Sequence, residues 1–431
     1  MSDPGTAHPP LRSAGSLAGT VAGLVVLVVG VAAGRVDVVL LGVPLLVASL
    51  WTRVPSAGGV AQVAVEHAEA PTGRVGYRIR LEPPPSAEAL HVRVVLSTGR
   101  RRDLVVAPGA RELVGSAPTW HTGPVAVATV GHRVLGEDAV WAGPPVGPVR
   151  LRRVVLPQRV ELDGPLPLPP RLTGLTGLHA SVRLGDGGEL HDINPFVPGD
   201  RLRRIDWRAT ARLRRGPGDL YVRRTTAQSD ATVVIAVDTR DEVSDHVATW
   251  TTPAGLVERT TSLDLAREAA SSLAAAYVHA GDQVAFHDLA DQGRVVPPGA
   301  GRRHLDRVRR AAAGMVATGL WTPRLRAPVV ARGALVYLVG THLDDTTSEL
   351  ATTWFLAGHR VVLVDVLPHL DRHDLDAREA VATQLLEGER AERIDGLRDL
   401  GIGVLDWRRS GFDADRTGSL RGLVRAGRGH R

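Results

Sequence analysis

Two acidic clusters and one arginine-rich stretch carry most of the side chains that could do chemistry. Asp238-Thr-Arg-Asp-Glu242 follows the apolar run 231–237, and Thr341-His-Leu-Asp344-Asp345 follows the apolar run 334–339. Continuous β-branched runs of this kind are the pattern of strands buried on both faces of a parallel sheet. Ligands of open α/β sheets gather beyond the carboxyl ends of such strands. Two acidic loops at one crest would suit a hard divalent cation. The third feature is 198–215, where Pro198-Gly199-Asp200 has turn chemistry and seven of the fifteen positions 201–215 are arginine, interrupted by Asp206 and Trp207. The carboxylates and the indole could hold guanidinium groups in fixed geometry, or the arginines simply form a solvated face.

Acid–base catalysis finds less support. His287-Asp288 and His342 near Asp344 have the right residue types, but no nucleophile is placed beside either. They read as strand-end histidines, and no catalytic residue is expected. No G-x-G-x-x-G or Walker A sequence opens a helix after a strand, so a phosphate cradle is missing as well.

The elements that must position these residues follow from periodicity. Across 229–431, strand patterns at 231–237, 283–289, 334–339, 360–366 and 401–407 alternate with helix patterns at 261–280, 304–315, 348–357 and 377–400. Thr261 and Asp264 have capping-box spacing, and Gly281 ends that helix. Strand–helix alternation predicts an open, mostly parallel, doubly wound sheet. Upstream, 57–160 alternates apolar with polar residues in short runs broken by Pro and Gly, which predicts a β-sandwich-like, immunoglobulin-like domain acting as a spacer or interaction module. Gly164-Pro-Leu-Pro-Leu-Pro-Pro, in a connector 161–228, predicts a stiff extended link.

The amino terminus has its own logic. Residues 1–13 are polar and predict disorder. The runs 17–33 and 38–51 lack charges and are joined by Gly34-Arg35-Val36-Asp37, so 14–53 reads as two transmembrane helices. Arg12 and Arg53 flank this hairpin on one side, which predicts a two-pass protein of the cell membrane with the bulk of the chain cytoplasmic.

Composition removes several function classes. The 431-residue chain has a formal charge of +6 but no lysine, so all 52 basic residues are arginine, and basicity here does not by itself imply nucleic acid. Cysteine is absent, which excludes disulfides, thiol nucleophiles and cysteine-ligated zinc. Aromatics at 4% argue against a stacking platform for single strands.

The run PGDRLRRIDWRATAR at 198–212, preceded by Asp192-Ile-Asn-Pro-Phe and followed by Leu220-Tyr-Val-Arg-Arg, resembles the signature of the bacterial family called domain of unknown function 58. The resemblance implies a membrane hairpin, a β-rich region, this signature and a von Willebrand factor A-like domain over 229–431. It also implies association with MoxR-type AAA+ ATPases, in assembly or maturation of envelope or metal-containing complexes. Von Willebrand A domains bind Mg²⁺ through Asp-x-Ser-x-Ser and further residues from two other loops. Here Asp238 is kept, whereas Arg240 and Glu242 stand at the serine positions, and Asp344 is the candidate second carboxylate. A guanidinium beside a cation is unfavourable, so the expectation is a degenerate site without metal, Mg²⁺ being disfavoured, and no cofactor.

The function expected is therefore a membrane-anchored, non-enzymatic scaffold or adaptor that docks a protein partner, with a MoxR-type ATPase foremost, the bilayer through the hairpin, and no nucleic acid. Pro198, Gly199, Asp200, Arg204, Asp206, Trp207, Ala211 and Arg212 would either be read by the partner or lock the signature in place by ion pairs. The alternative is a metal-dependent hydrolase or adhesion-type protein using Asp238 and Asp344. A third reading, anionic lipid or nucleic acid on the arginine stretch, predicts steep salt dependence.

Overall fold

The computed structural model describes residues 11–12, 14–50, 60–71, 73–136, 141–162, 164–170, 172, 179–213, 215–216, 218–250, 259–290, 293–318, 328–373, 375–408 and 420–424. Contacts divide the chain into two compact units. The first comprises Met1–Trp120, Val125–Arg153 and Gly255–Glu258; the second comprises His121–Pro124, Val154–Ala254 and Arg259–Arg431.

In the first unit, α1 (Ala14–Ala32) and α2 (Val36–Leu50) form an antiparallel hairpin whose turn uses Gly34 at φ 67°. The helices approach closely at glycines: a Cβ on Gly30 would lie 2.6 Å from the Val39 backbone nitrogen, and one on Gly42 would lie 2.9 Å from the Gly23 carbonyl oxygen. The expectation of two membrane-spanning helices is corrected here. Among the described residues no helix is long and apolar enough to cross a membrane. The 15 residues of α2 rise only about 22 Å against a hydrocarbon core of about 30 Å. Pro44 lies inside α2, and Gly, Ser and Thr dilute the first turns of α1. Leu24, Val28, Leu40 and Leu41 are nonetheless left exposed on the hairpin.

The β-rich stretch forms two sheets. One is three-stranded, with β3 (Arg74–Glu82) between β2 (Gln62–Ala68) and β6 (Glu112–Pro118), all antiparallel. The other runs β1 (Leu11–Arg12), β8 (Trp141–Ala142), β7 (Gly123–Gly136), β4 (Ala89–Leu96), β5 (Arg101–Val106), with β9 (Val146–Val155) also on β7. Alternation buries Leu90, Val92 and Val94 along β4, as half-buried strands require. Leu11 and Arg12, expected within a disordered terminus, pair with Ala142 and Trp141; the rest of 1–13 lies outside the described residues, as do residues 51–53, which hold the last residue of the second apolar run and its flanking Arg53.

In the second unit a six-stranded sheet has the order β14 (Val295–Gly299), β13 (Gln283–Asp288), β12 (Thr232–Val237), β15 (Leu335–Gly340), β16 (Arg360–Asp365), β17 (Gly403–Asp406). It is mixed. β13, β12, β15, β16 and β17 pair in parallel, while β14 pairs antiparallel with β13. β14 carries Pro297 and Pro298. An edge strand tolerates proline, since its outer N–H groups need no partner. Helices α4 (Ser262–His279) and α5 (Arg302–Ala313) cover the face that presents Val233, Ile235 and Val237. Helices α6 (Asp345–Leu356) and α7 (Ala377–Asp399) cover the opposite face, which presents Val234 and Ala236.

The proline-rich connector is more than a link. Val160, Leu162 and Leu166 pack against the α4 side of the core. Tyr277 Oη donates to the Pro167 carbonyl at 2.7 Å and lies 2.8 Å from Tyr337 Oη, and Arg360 donates to the Leu168 carbonyl at 2.9 Å. Beyond it, β10 (His179–Pro195) and β11 (Tyr221–Ser229) form an antiparallel ribbon, with α3 (Trp207–Leu213) in the excursion between them.

Candidate functional site

The parallel strands reverse their order of addition between β12 and β15, the place where open α/β sheets bind ligands. Asp238, Arg240 and Asp344 meet there. Arg240 Nε donates to Asp238 Oδ1 at 3.0 Å, and Nη2 donates to Asp238 Oδ2 at 2.6 Å. Across the gap, Nη2 also donates to Asp344 Oδ1 at 2.9 Å, while Nη1 donates to Asp344 Oδ2 at 2.6 Å and to Thr346 Oγ1 at 3.2 Å. Each nitrogen of the guanidinium thus has acceptors within hydrogen-bond reach. Burial works against the charge, but the two carboxylates outweigh it and raise the Arg240 pKa above its usual value.

The neighbouring acids face elsewhere. Asp241 accepts from Thr341 Oγ1 at 3.2 Å, and burial followed by the Asp238 charge raises its pKa. Glu242 accepts from Thr261 Oγ1 at 3.0 Å, at the start of α4, and so stands apart from the Asp238–Asp344 pair. Asp288 is buried and accepts from Thr239 Oγ1 at 2.8 Å. His342, at φ 54°, is turned inward between Thr347 Oγ1 and the Val364 carbonyl, and burial lowers its pKa so that it is held neutral. A left-handed backbone at a non-glycine residue costs free energy, and His342 adopts it two residues before Asp344. Among the described residues no group of three or more His, Asp or Glu side chains is arranged to hold a metal ion.

A second polar cluster was not anticipated from the sequence. At the start of α4, buried Asp264 accepts from His121 Nδ1 at 2.8 Å, from the Thr122 N–H at 2.7 Å and from Thr122 Oγ1 at 2.7 Å. Arg267 donates to the Thr122 carbonyl at 2.7 Å and to the Met315 carbonyl at 2.8 Å. Burial pushes the Asp264 carboxyl up, yet His121 and Thr122 outweigh it and hold its pKa below the usual carboxylate value. The capping box with Thr261 is legible in sequence; partners 142 and 143 positions upstream are not.

The arginine-rich signature is built on β11. Gly199 takes φ 109° in the turn after exposed Pro198, and Asp200 accepts the Val197 N–H at 3.0 Å and lies 3.6 Å from Arg224. Asp206 caps α3 by accepting the N–H groups of Arg208 and Ala209 at 3.0 and 2.9 Å. The Asp206 N–H donates to the Tyr221 carbonyl at 2.8 Å, and the Tyr221 N–H donates to buried Thr210 Oγ1 at 2.9 Å. The carboxylates of the signature thus hold its own backbone. Trp207 projects outward, 69% exposed, with Leu202 equally exposed and Val197 at 52%. Arg204 is half-buried, and Ala211 and Arg212 are exposed at the end of α3.

Residues 192–384 match the family model described as Protein of unknown function DUF58. The DUF58 match takes in the signature, both sides of the Arg240 crest and the first two turns of α7. It supports the family expected from the signature, and its description assigns no activity. No curated protein and no solved structure matches the chain.

Proposed function

We propose that this protein is a non-enzymatic docking module in which the DUF58 region presents its signature to a protein partner. The observation that carries this reading is Trp207: a large indole held outward on a capped helix, within a run of arginines. Buried tryptophan and arginine are the residues that most often dominate protein interfaces, and an exposed indole on a rigid base is pre-organised for that use. The MoxR-type AAA+ ATPase implied by the family resemblance is the first partner to test. Binding of the purified chain to such an ATPase, with ATP present, should weaken with Trp207→Ala and survive Arg240→Ser. Absence of binding by the unaltered chain would remove this partner; binding that ignores Trp207 would move the contact elsewhere.

The metal-dependent alternative has Arg240 against it, because a guanidinium already joins both carboxylates that a cation would need. Mg²⁺ or Mn²⁺ should therefore leave the melting temperature of the intact chain unchanged. A rise that disappears with Asp238→Ala would restore the metal reading.

A further inference from the structure

The outer side of α5 carries charge without compensation. Five of the nine positions 302–310 are arginine, with Asp306 the one acid. Leu305, Val308, Ala311 and Ala312 pack into the core. Arg302, Arg303, Arg307 and Arg310 are therefore exposed, and Arg309 is half-buried. Arg303, Arg307 and Arg310 stand at i, i+4 and i+7, on one line along the helix. Among the described residues, Arg302, Arg303 and Arg307 take no hydrogen bond or ion pair, and Arg310 donates only to the Asp306 carbonyl, at 3.1 Å. The Nε of Arg309 is buried without a hydrogen-bond partner. Burial, then the charge of nearby Arg159, lowers the Arg309 pKa, and Asp306 opposes this less.

This arrangement costs the helix. Cations in a first turn oppose the helix dipole, and Arg302 and Arg303 occupy that turn with no acid in it. Arg303 and Arg307 repel each other at i, i+4. A solvated helix of the same chain looks different. In α7 acids and arginines interleave, Asp376 and Glu379 form the cap, and Arg398 pairs with Asp395 at 2.7 Å. An anion from outside the chain would balance the α5 face.

We propose that the arginine face of α5 rests on an anionic bilayer surface, with lipid phosphates against its guanidinium groups. The contact is with headgroups alone and needs no membrane-crossing segment. Each arginine at such a surface raises partitioning about fivefold, so that several act together. An exposed ion pair with a peptide carboxylate adds only about twofold, and this face presents no aromatic anchor for a protein partner. Duplex nucleic acid fits less well. α5 is packed onto the sheet along its apolar side, so it cannot enter a groove, and a cylinder meets an outward face along one line. Val295 on β14 and Val316 just beyond α5 are more than half exposed and add aliphatic surface at the borders. The proposal stands apart from the docking reading, because Trp207 takes no part in it.

The test is co-sedimentation of the full chain with vesicles of equimolar phosphatidylglycerol and phosphatidylcholine, beside vesicles of phosphatidylcholine alone. The acidic vesicles should bind more protein, and the excess should vanish as salt rises. Apolar insertion by the hairpin would add equally to both, so the difference reads charge. Arg303→Gln combined with Arg307→Gln should lower the phosphatidylglycerol-dependent partition coefficient about 30-fold. Lysine at both positions should keep it, since headgroup attraction needs charge rather than a fork. Arg150→Gln with Arg152→Gln removes equal charge from exposed positions of β9 and should change it little. Circular dichroism melts identify any variant that unfolds, and neither Arg303 nor Arg307 has a hydrogen bond or ion pair to lose. Equal binding to both vesicles, or a difference kept in full by the Gln variant, would overturn the assignment. So would tighter, Arg303- and Arg307-dependent binding of a DNA duplex or of polyglutamate at the same salt. Vesicle binding can fail while an ATPase still binds through Trp207, and the reverse, so the two readings fall separately.

Discussion

Arg240 holds two carboxylates that would otherwise face each other across the end of the sheet. Its side chain is 11% exposed, and those of Asp238 and Asp344 are 8% and 14% exposed. Removing one partner from a largely buried ion cluster costs about 3–5 kcal/mol, chiefly because the remaining charges lose their compensation. Arg240→Ala should therefore lower the denaturant midpoint strongly, and Asp344→Asn added to it should recover part of the loss. Full additivity of the two substitutions would show that the groups do not act together. Asp264 gives a pH signature. Its folded pKa is lowered, so its contribution is complete above the unfolded carboxyl value of about pH 4 and is lost as pH falls through the folded pKa. The acid limb of stability against pH should flatten in Asp264→Asn; an unchanged limb would mean that other carboxylates set it.

At the scale of elements, the connector and the ribbon matter more than their sequences suggest. Tyr277 and Tyr337 stand on α4 and β15, fully buried, and Tyr277 reaches the Pro167 carbonyl. Tyr277→Phe removes that donor and leaves a carbonyl and a hydroxyl short of partners, at a cost of about 1–3 kcal/mol. Hydrogen exchange should rise along 160–168 while β12 and β15 stay protected; exchange spread evenly over the sheet would instead indicate a general loss of stability. Along the hairpin of α1 and α2, glycines allow the close approach, so Gly30→Val should separate the helices, as cysteine cross-linking between them would report.

For the whole molecule, the division into units cuts across the order of the chain. His121–Pro124 belongs to the second unit although β6 before it and β7 from Val125 onward belong to the first. A chain beginning at Val154 would lack His121 and Thr122, leaving the Asp264 carboxylate buried without three of its donors. That fragment should melt below the second unit of the intact chain, and Asp264→Asn should cost it much less than it costs the full protein. Equal melting temperatures would show that water replaces the missing donors.

Much of the second unit was legible because its signals are local. A continuous apolar run such as 231–237 has few alternatives to a buried strand, and the Thr261–Asp264 box needs only a spacing of three. Asp238 and Asp344 could be placed at one crest from strand–helix alternation alone. Long-range choices could not be read this way. The tertiary structure joined Arg240 to Asp238 and Asp344 because their strands are neighbours in the sheet. Whether Trp207 faced inward or outward depended on which side of α3 met β11, and Thr210 took that side. The apolar runs of the hairpin specified helices; the lengths those helices reached, and the glycine-lined contact between them, were set in three dimensions. Local propensity acts over a few residues, whereas pairing across a sheet, burial and helix contact depend on partners that sequence distance does not reveal.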